Sequence, residues 1–588
     1  MLARVEGARL TGFQVLALDY DGTLTEGDRP DAAVLEAVRK NREAGRRVVL
    51  VTGRILAELR AVFPEVEVEF DAVVAENGAV IATGDDVADV AMPIDPALGH
   101  ALAHRDIAFR SGRVIVACDV EHAPAVLAEV GRLGLDCQLV RNRSALMVLP
   151  SGVTKGTGLI EVLGDLGVSR HCALAVGDAE NDLPLLEVCE VGVAVANGVA
   201  SLRQRADIVL EEPDGDGIVA LLQGPIVSGE QRVPTLRRRL ELGTTTDGSP
   251  VSLPTSQLTL LVTGGSGGGK SYLVGMLVEQ LVGLRYAVLV VDREGDHIGL
   301  GSRRGIVVLG GTRDPPSTAD VIALLADRFG SVVLDLSLVD EQAQLGYLER
   351  LLPAVHALQA ACGSPHWLVL DEAHAALGAT GPDHLGRPPP GGGQLLATHR
   401  PQDLPSSVQA RLDAAVLLPG EGQGAADALA TALGWFGQPT ELAEQLHGLA
   451  LGHAVLVADH GGPPVTFQVG RRLVEHVRHW HKYTDARLSD EHAFRFGPDG
   501  RDGVARNVRE FHRGLRRVTD ATLTSHARRR DLSRWIEEIL QARQLAAVIS
   551  GLEADLALER RPVAAVRTDL LRAIEVHYLE RMPRRWSK

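Results

Sequence analysis

At 588 residues the chain is too long for one hydrophobic core, and about three or four domains are expected. Apolar residues make up 45% of it but aromatics only 4%, so the cores must be built from Leu, Val and Ala. The net charge is −16, and no apolar run approaches the ~18–20 residues of a bilayer span, so no membrane-spanning segment is expected. The N-terminus has no signal-peptide order of charge, apolar block and small residues. The five cysteines form no CxxC pair, so neither a disulfide framework nor a zinc site is expected, and a reducing cytoplasm is the expected compartment.

Residues 13–222 alternate short aliphatic runs with helical patterns. "VLALDYDG" (15–22), "RVVLVTG" (47–53), "AVVAENG" (72–78), "CALAVGD" (172–178) and "VGVAVANG" (191–198) each stop at a glycine or an acidic residue. Such runs read as buried parallel strands, with functional groups at their carboxyl ends. A block at about 82–152 breaks the series and reads as a small α+β insertion. Residues 223–256, richer in Pro, Gly, Ser and Thr and carrying Arg237–Arg239, read as a linker.

A second series of strands and helices occupies 257–470: "LTLLVTGG" (258–265), "YAVLVVD" (286–292), "SVVLDLS" (331–337), "HWLVLDE" (366–372) and "QLLATHR" (394–400). From 471 onward helical patterns dominate. That tail holds 25 Lys+Arg against 17 Asp+Glu, whereas the rest of the chain holds 35 against 59. A basic tail suits DNA or an acidic partner, although a solvated arginine-rich helical face accounts for it as well. "HVRHWHKY" groups His476, His479 and His481, but with no carboxylate set beside them they read as an interfacial helix rather than a metal cluster.

Only five lysines occur in the chain: Lys40, Lys155, Lys270, Lys482 and Lys588. Everywhere else a cation is an arginine. An ammonium is a compact point charge and a guanidinium a broad planar fork, so a lysine retained against that bias points to a crowded anion site. Lys155 lies in "SGVTKGTG". Asp19 and Asp21, in "DYDGTL", follow a strand and point the same way; Asp178 and Asp182, in "GDAENDLPLL", follow another. Together they would form an oxygen cage suited to Mg²⁺. Thr52 and Gly53, ending a further strand, offer a hydroxyl and an amide to a phosphoryl oxygen.

The four strings "DYDGT", "VTGR", "TKG" and "GDAEND", in that order, resemble the motifs of the haloacid dehalogenase-like hydrolases. The insertion and "ENGA" (76–79) resemble the Cof-type branch. The resemblance implies a Rossmann-like core with a small cap, Mg²⁺, and hydrolysis of a small phosphate ester through an aspartyl-phosphate. On that pattern Asp19 is the nucleophile and Asp21 the acid and then the base. Asp178 binds Mg²⁺ with Asp19 and the Asp21 carbonyl, and Asp182 supports that shell. Thr52, Gly53, Lys155 and Asn181 hold the phosphate. Arg110, Arg141 and Arg143 are candidates for contacting an anionic leaving group, though as surface arginines they are as readily solvated.

"GGSGGGKS" fits GxxxxGK[ST] directly after a strand. Gly264, Gly265, Ser266, Gly267, Gly268 and Gly269 would wrap the phosphates of ATP. Lys270 would reach the β- and γ-phosphates, and Ser271 would meet Mg²⁺. Asp371 would complete the metal shell and Glu372 would polarise water, a pairing that favours hydrolysis over transfer to a hydroxyl. Residues 240–420 are similar to the HerA/FtsK-like ATPases, with VirB4-like relatives. That similarity implies a RecA-like fold, a ring-shaped homo-oligomer, a γ-phosphate sensor at His399 and an inter-subunit arginine, for which Arg411 is the candidate. The expected architecture is thus α/β: a capped Rossmann-like phosphatase, a RecA-like P-loop ATPase, and a basic helical module at 471–588. A polynucleotide kinase–phosphatase and a phosphorylated-ligand sensor coupled to an ATPase are the rival readings.

Overall fold

A computed structural model of the chain describes residues 12–579, apart from 143, 234, 236, 266, 328–329, 378–384, 386–387, 420–441, 443–444, 447–448, 459–462, 475–483, 485–487, 489–491 and 541. Ser266, Arg143 and the histidines at 476, 479 and 481 therefore lie outside the described residues.

The aliphatic runs form two large sheets. The first has eight strands in the order Ile208–Val209, Val191–Ala194, Ala173–Gly177, Val15–Asp19, Arg47–Val51, Ala72–Ala75, Val80–Thr83 and Asp86–Asp89. Its first six are parallel, and the last two return antiparallel. Val80–Asp89 thus extends the core sheet, and the separate cap sheet begins only at Phe109. That sheet has four antiparallel strands between Phe109 and Pro150.

The second sheet has eleven strands. Its centre is the parallel series Ala414–Leu417, Leu258–Thr263, Gly393–Thr398, Trp367–Leu370, Val288–Asp292, Ser331–Asp335 and Ile306–Gly310. Arg239–Thr244 and Pro250–Pro254, in the stretch that reads as a linker, are antiparallel strands at its far edge, paired with Val465–Val469. A helical module follows, with its own core around Phe494, Phe511, Trp535 and Ile549 and helices from Val508 to Ile574. No described helix is long and apolar enough to cross a membrane.

The two sheets meet through a buried polar joint. Glu190, fully buried, accepts from Tyr286 Oη at 3.0 Å and from Ser256 Oγ, and lies 2.7 Å from His171 Nδ1. His171 stacks on Tyr286 with centroids 3.9 Å apart. Arg238 reaches across to donate to the carbonyls of Cys189, Glu190 and Glu187 at 2.8–3.0 Å, and Arg237 donates to Leu186 O at 2.6 Å. These carbonyls close the C-terminal end of the helix Leu183–Val188, where a cation is favoured by the helix dipole. That helix begins directly after Asp182, so the joint grips the segment carrying the last acidic motif.

His366 completes the joint. Its Nδ1 accepts the Ala287 amide at 2.7 Å, so Nε2 carries the proton and donates to Ser169 Oγ at 2.6 Å. Burial, with His171 and Arg170 nearby, holds its pKa well below 6.5. The neutral ring therefore contributes stability that is present above pH ~6.5 and is lost as pH falls through that value, because the unfolded chain then takes up a proton that the folded chain refuses. Stability should fall by up to about 1.4 kcal/mol per pH unit from this group below pH ~6.5. Thermal unfolding from pH 7.5 to 5.5 measures the slope, and His366→Leu should flatten it. Equal slopes in the two proteins would remove His366 as the source.

Candidate functional site

Asp19 ends the strand Val15–Asp19, which is paired on one side with Arg47–Val51 and on the other with Ala173–Gly177. Parallel pairing brings the three carboxyl ends side by side, so Thr52 and Asp178 flank Asp19. Lys155 enters from the side, as the first residue of the helix Lys155–Leu166, which is fixed by a capping box between Thr154 and Thr157. The glycines of "TKGTG" explain how near it comes. A Cβ on Gly156 would meet Pro184 O at 2.4 Å, and one on Gly158 would meet Val74 Cγ1 at 2.6 Å.

Lys155 is 1% exposed, and its Nζ donates to Asp19 Oδ1 and to Asp182 Oδ1, both at 2.5 Å. Burial acts to lower its pKa, but the two carboxylates outweigh that and raise it, so the ammonium stays charged. The second oxygen of Asp182 accepts the amides of Asp178 and Ala179 at 3.0 Å. Burial, with Asp182 adding, pushes the Asp19 pKa well above the carboxylate range against the pull of Lys155. Asp19, Asp178 and Asp182 bring oxygens within 4.8 Å of one another. Three buried carboxylates against one ammonium leave excess negative charge, and an all-oxygen set of this kind fits a hard divalent cation.

Asp21 points elsewhere than Lys155. Arg54 holds it through contacts of 2.6–3.1 Å, lies 5.0 Å over the Tyr20 ring, and reaches Asp28 at 3.4 Å. Arg54 stands inside "VTGR", yet residue type alone gave no reason to prefer it to any other arginine. Thr52 is fully buried, and its Oγ1 accepts the Arg54 amide at 3.1 Å. Asn181 donates to Asn77 Oδ1 at 3.1 Å, which ties the last motif to "ENGA".

Glu76 of the same string is fully buried and accepts the amides of Arg113, Val114 and Ile115, anchoring the start of a cap strand. The cap reaches the site at Gly53, where a Cβ would lie 3.5 Å from Met147 Sδ and 3.6 Å from Asn142 Nδ2. Arg110 is paired with Glu58 at 2.8 Å, and Arg141 is exposed.

The second site opens after the strand Leu258–Thr263. Gly267 and Gly269 have φ of 84° and 105°, a left-handed backbone that wraps the loop before the helix Lys270–Gly283. Lys270 Nζ folds onto Gly264 O and Gly265 O at 2.8 and 3.1 Å. A cavity of about 1070 Å³ adjoins it, lined by Lys270, Ser271, Arg293, Glu372 and His399 and, from the helical module, Glu537 and Gln544. That is ample for a nucleoside triphosphate. Gly268, whose Cβ position lies 2.5 Å from Pro419 O, packs behind the loop.

Asp371 is buried, and its Oδ2 lies 2.9 Å from His297 Nε2, a partner the spacing did not predict. His399 Nδ1 lies 2.9 Å from Glu372 Oε2. Arg411 is not in this wall; its Nε donates to Ser407 O at 3.1 Å.

Two family models match the chain. One, haloacid dehalogenase-like hydrolase, covers residues 16–103 and 138–222; the other, the central domain of helicase HerA, covers 240–353. The phosphoglycolate phosphatase of Archaeoglobus fulgidus is 32% identical over 221 residues, spanning 36% of this chain and 96% of the relative. That of Methanothermobacter thermautotrophicus is 31% identical over 213 residues, 35% of this chain and 96% of the relative. That of Halorubrum lacusprofundi is 33% identical over 227 residues, 35% and 95%. The gap between the two stretches of the first match falls on the cap. Through its N-terminal third the chain belongs to the haloacid dehalogenase-like hydrolases, and a HerA-type central domain follows in the same polypeptide.

Proposed function

We propose that the N-terminal site hydrolyses a small anionic phosphate monoester of the 2-phosphoglycolate class. The observation that carries this reading is the buried Lys155 ammonium bridging Asp19 and Asp182 beside Asp178. Asp19 attacks phosphorus, the ester P–O bond breaks, and Asp21 gives its proton to the leaving oxygen. Asp21 then takes a proton from water, the water oxygen attacks phosphorus, and the bond to Asp19 breaks to release phosphate. Arg54 positions Asp21, while Lys155 and Thr52 hold the phosphoryl oxygens. Asp19 and Asp178, with the Asp21 carbonyl, would hold Mg²⁺, which would supply charge neutralisation. The short cap, with Asn142 and Met147 over Gly53, suits a leaving group of a few atoms.

Phosphate release from a panel of monoesters, including 2-phosphoglycolate and sugar phosphates, tests this. Asp19→Asn should lower turnover at least about 1000-fold. Release that survives Asp19→Asn, or its absence across the panel in the wild type, sinks the reading.

The second half we read as an ATP-hydrolysing unit. The support is the joint placement of Lys270, Ser271, Glu372 and His399 on one cavity. In this reading Lys270 leaves its own loop for the phosphates, and Glu372 activates water. The joint at Glu190 gives the two halves a packed contact, and ATP-dependent gating of the phosphatase is one proposed use of this hydrolysis. Assembly into a ring and action on DNA are further proposals that rest on the HerA-type match alone.

A further inference from the structure

One wall of the nucleotide cavity places two imidazoles around the carboxylate proposed to activate water. Glu372 Oε2 lies 2.9 Å from His399 Nδ1 and 3.3 Å from His374 Nδ1. The two imidazoles meet edge to face with centroids 4.7 Å apart. One donor atom from each residue lies within 4.8 Å of the others. All three residues face the cavity.

The cluster lies close to the spacing of a metal site, with the His399 contact now a hydrogen bond. Bonds of about 2.0–2.2 Å in a four-coordinate site put neighbouring donor atoms roughly 3.3–3.5 Å apart. The observed 2.9 and 3.3 Å need little adjustment to accept an ion. Thr398 Oγ1, on the strand Gly393–Thr398, lies 2.9 Å from the same His374 Nδ1, and that contact gives way when the nitrogen takes an ion. Two imidazoles and a carboxylate select late first-row ions over Mg²⁺, which prefers all-oxygen shells.

We propose that Glu372, His374 and His399 form a site for a divalent ion of the zinc class, open on its remaining side to the nucleotide cavity. A bound ion takes the Glu372 carboxylate away from water, so the site acts as a brake on ATP hydrolysis. The braking rests on the ATPase reading given above; the metal site itself does not.

The test uses the full-length chain in saturating Mg²⁺. Zn²⁺ is titrated against a chromophoric chelator, and Co²⁺ serves as a visible-spectrum probe of imidazole coordination. Wild type is compared with His374→Ala and His399→Ala, and His374→Asn keeps a polar group against Thr398 should the alanine variant misfold. His476, His479 and His481 are present in every variant and contribute equally. The expected result is one equivalent of bound Zn²⁺ that is lost or weakened at least tenfold in each variant, together with the Co²⁺ bands. One equivalent of Zn²⁺ should also stop ATP hydrolysis by the wild type. Titration curves for the His374 variants that superimpose on the wild type overturn the site. Zn²⁺ binding that depends on His374, in a chain that hydrolyses no ATP, leaves the site standing and removes the ATPase reading instead.

Discussion

Lys155→Arg should reduce phosphatase turnover at least about 100-fold while keeping the positive charge. The ammonium sits 1% exposed with Asp19 and Asp182 each at 2.5 Å. Its helix is pressed against the core by two glycines, whose missing Cβ atoms would lie 2.4 and 2.6 Å from neighbours. A guanidinium is wider, planar and directional, so it cannot point donors at both carboxylates from the same Cα without pushing Asp19 off its line of attack. The loss expected matches that for removing one preorganised donor from a developing charge, about 100- to 1000-fold. Overpacking should add about 1–3 kcal/mol of destabilisation.

Lys155→Met separates charge from size. It leaves buried carboxylates without their counter-ion, and it should cost about 3–5 kcal/mol. Turnover of 2-phosphoglycolate and thermal unfolding, measured on both variants, give the comparison. Normal turnover by Lys155→Arg would show that the pocket selects charge alone.

Glu372→Gln should slow ATP hydrolysis by about 100- to 10,000-fold while leaving ATP bound. Burial and the neighbouring Asp371 raise the Glu372 pKa, which moves it toward the range of a useful general base. Asp371 is occupied differently, with one oxygen held by His297 and the other accepting the Glu372 amide at 3.0 Å. On the proposed reading the two acidic residues divide the work, and Asp371→Asn should act on metal-dependent nucleotide affinity instead. Single-turnover hydrolysis and nucleotide binding, measured on the two variants in an Asp19→Asn background, separate these effects. Equal losses of binding in both variants would contradict the division. The trapped Glu372→Gln·ATP state is also the state in which any response of the phosphatase to nucleotide should be greatest.

The two sites were legible in the sequence for a physical reason. Parallel strands present their carboxyl ends on one edge, so the residues that end each aliphatic run must converge: Asp19, Thr52 and Asp178 on one sheet, and the "GGSGGGKS" loop and "LDEAH" on the other. The scarcity of lysine added a signal independent of motif. What escaped was long-range. Arg239–Thr244 and Pro250–Pro254 have the composition of a linker because an edge hairpin needs turn residues, and the partner that makes it sheet, Val465–Val469, lies more than 200 residues away. Arg237 and Arg238 stood in a stretch read as a linker, yet both donate to the carbonyl end of a helix, and Arg237 also holds Asp207. His171, Tyr286 and His366 carry no local pattern at all, since each is a single polar residue at the start of an apolar strand. His297 and His374 likewise gain meaning only from what folds against them.

The joint also makes each half of the polypeptide answerable to the other. Glu190 is a buried anion whose tyrosine and serine donors, Tyr286 and Ser256, both belong to the other half of the polypeptide. Exchanging the second half for another polypeptide would take both hydroxyl donors from Glu190 and leave its charge to His171 and Arg238 alone. The buried carboxylate therefore makes the pairing of the two halves a property of particular residues rather than of the tether between them.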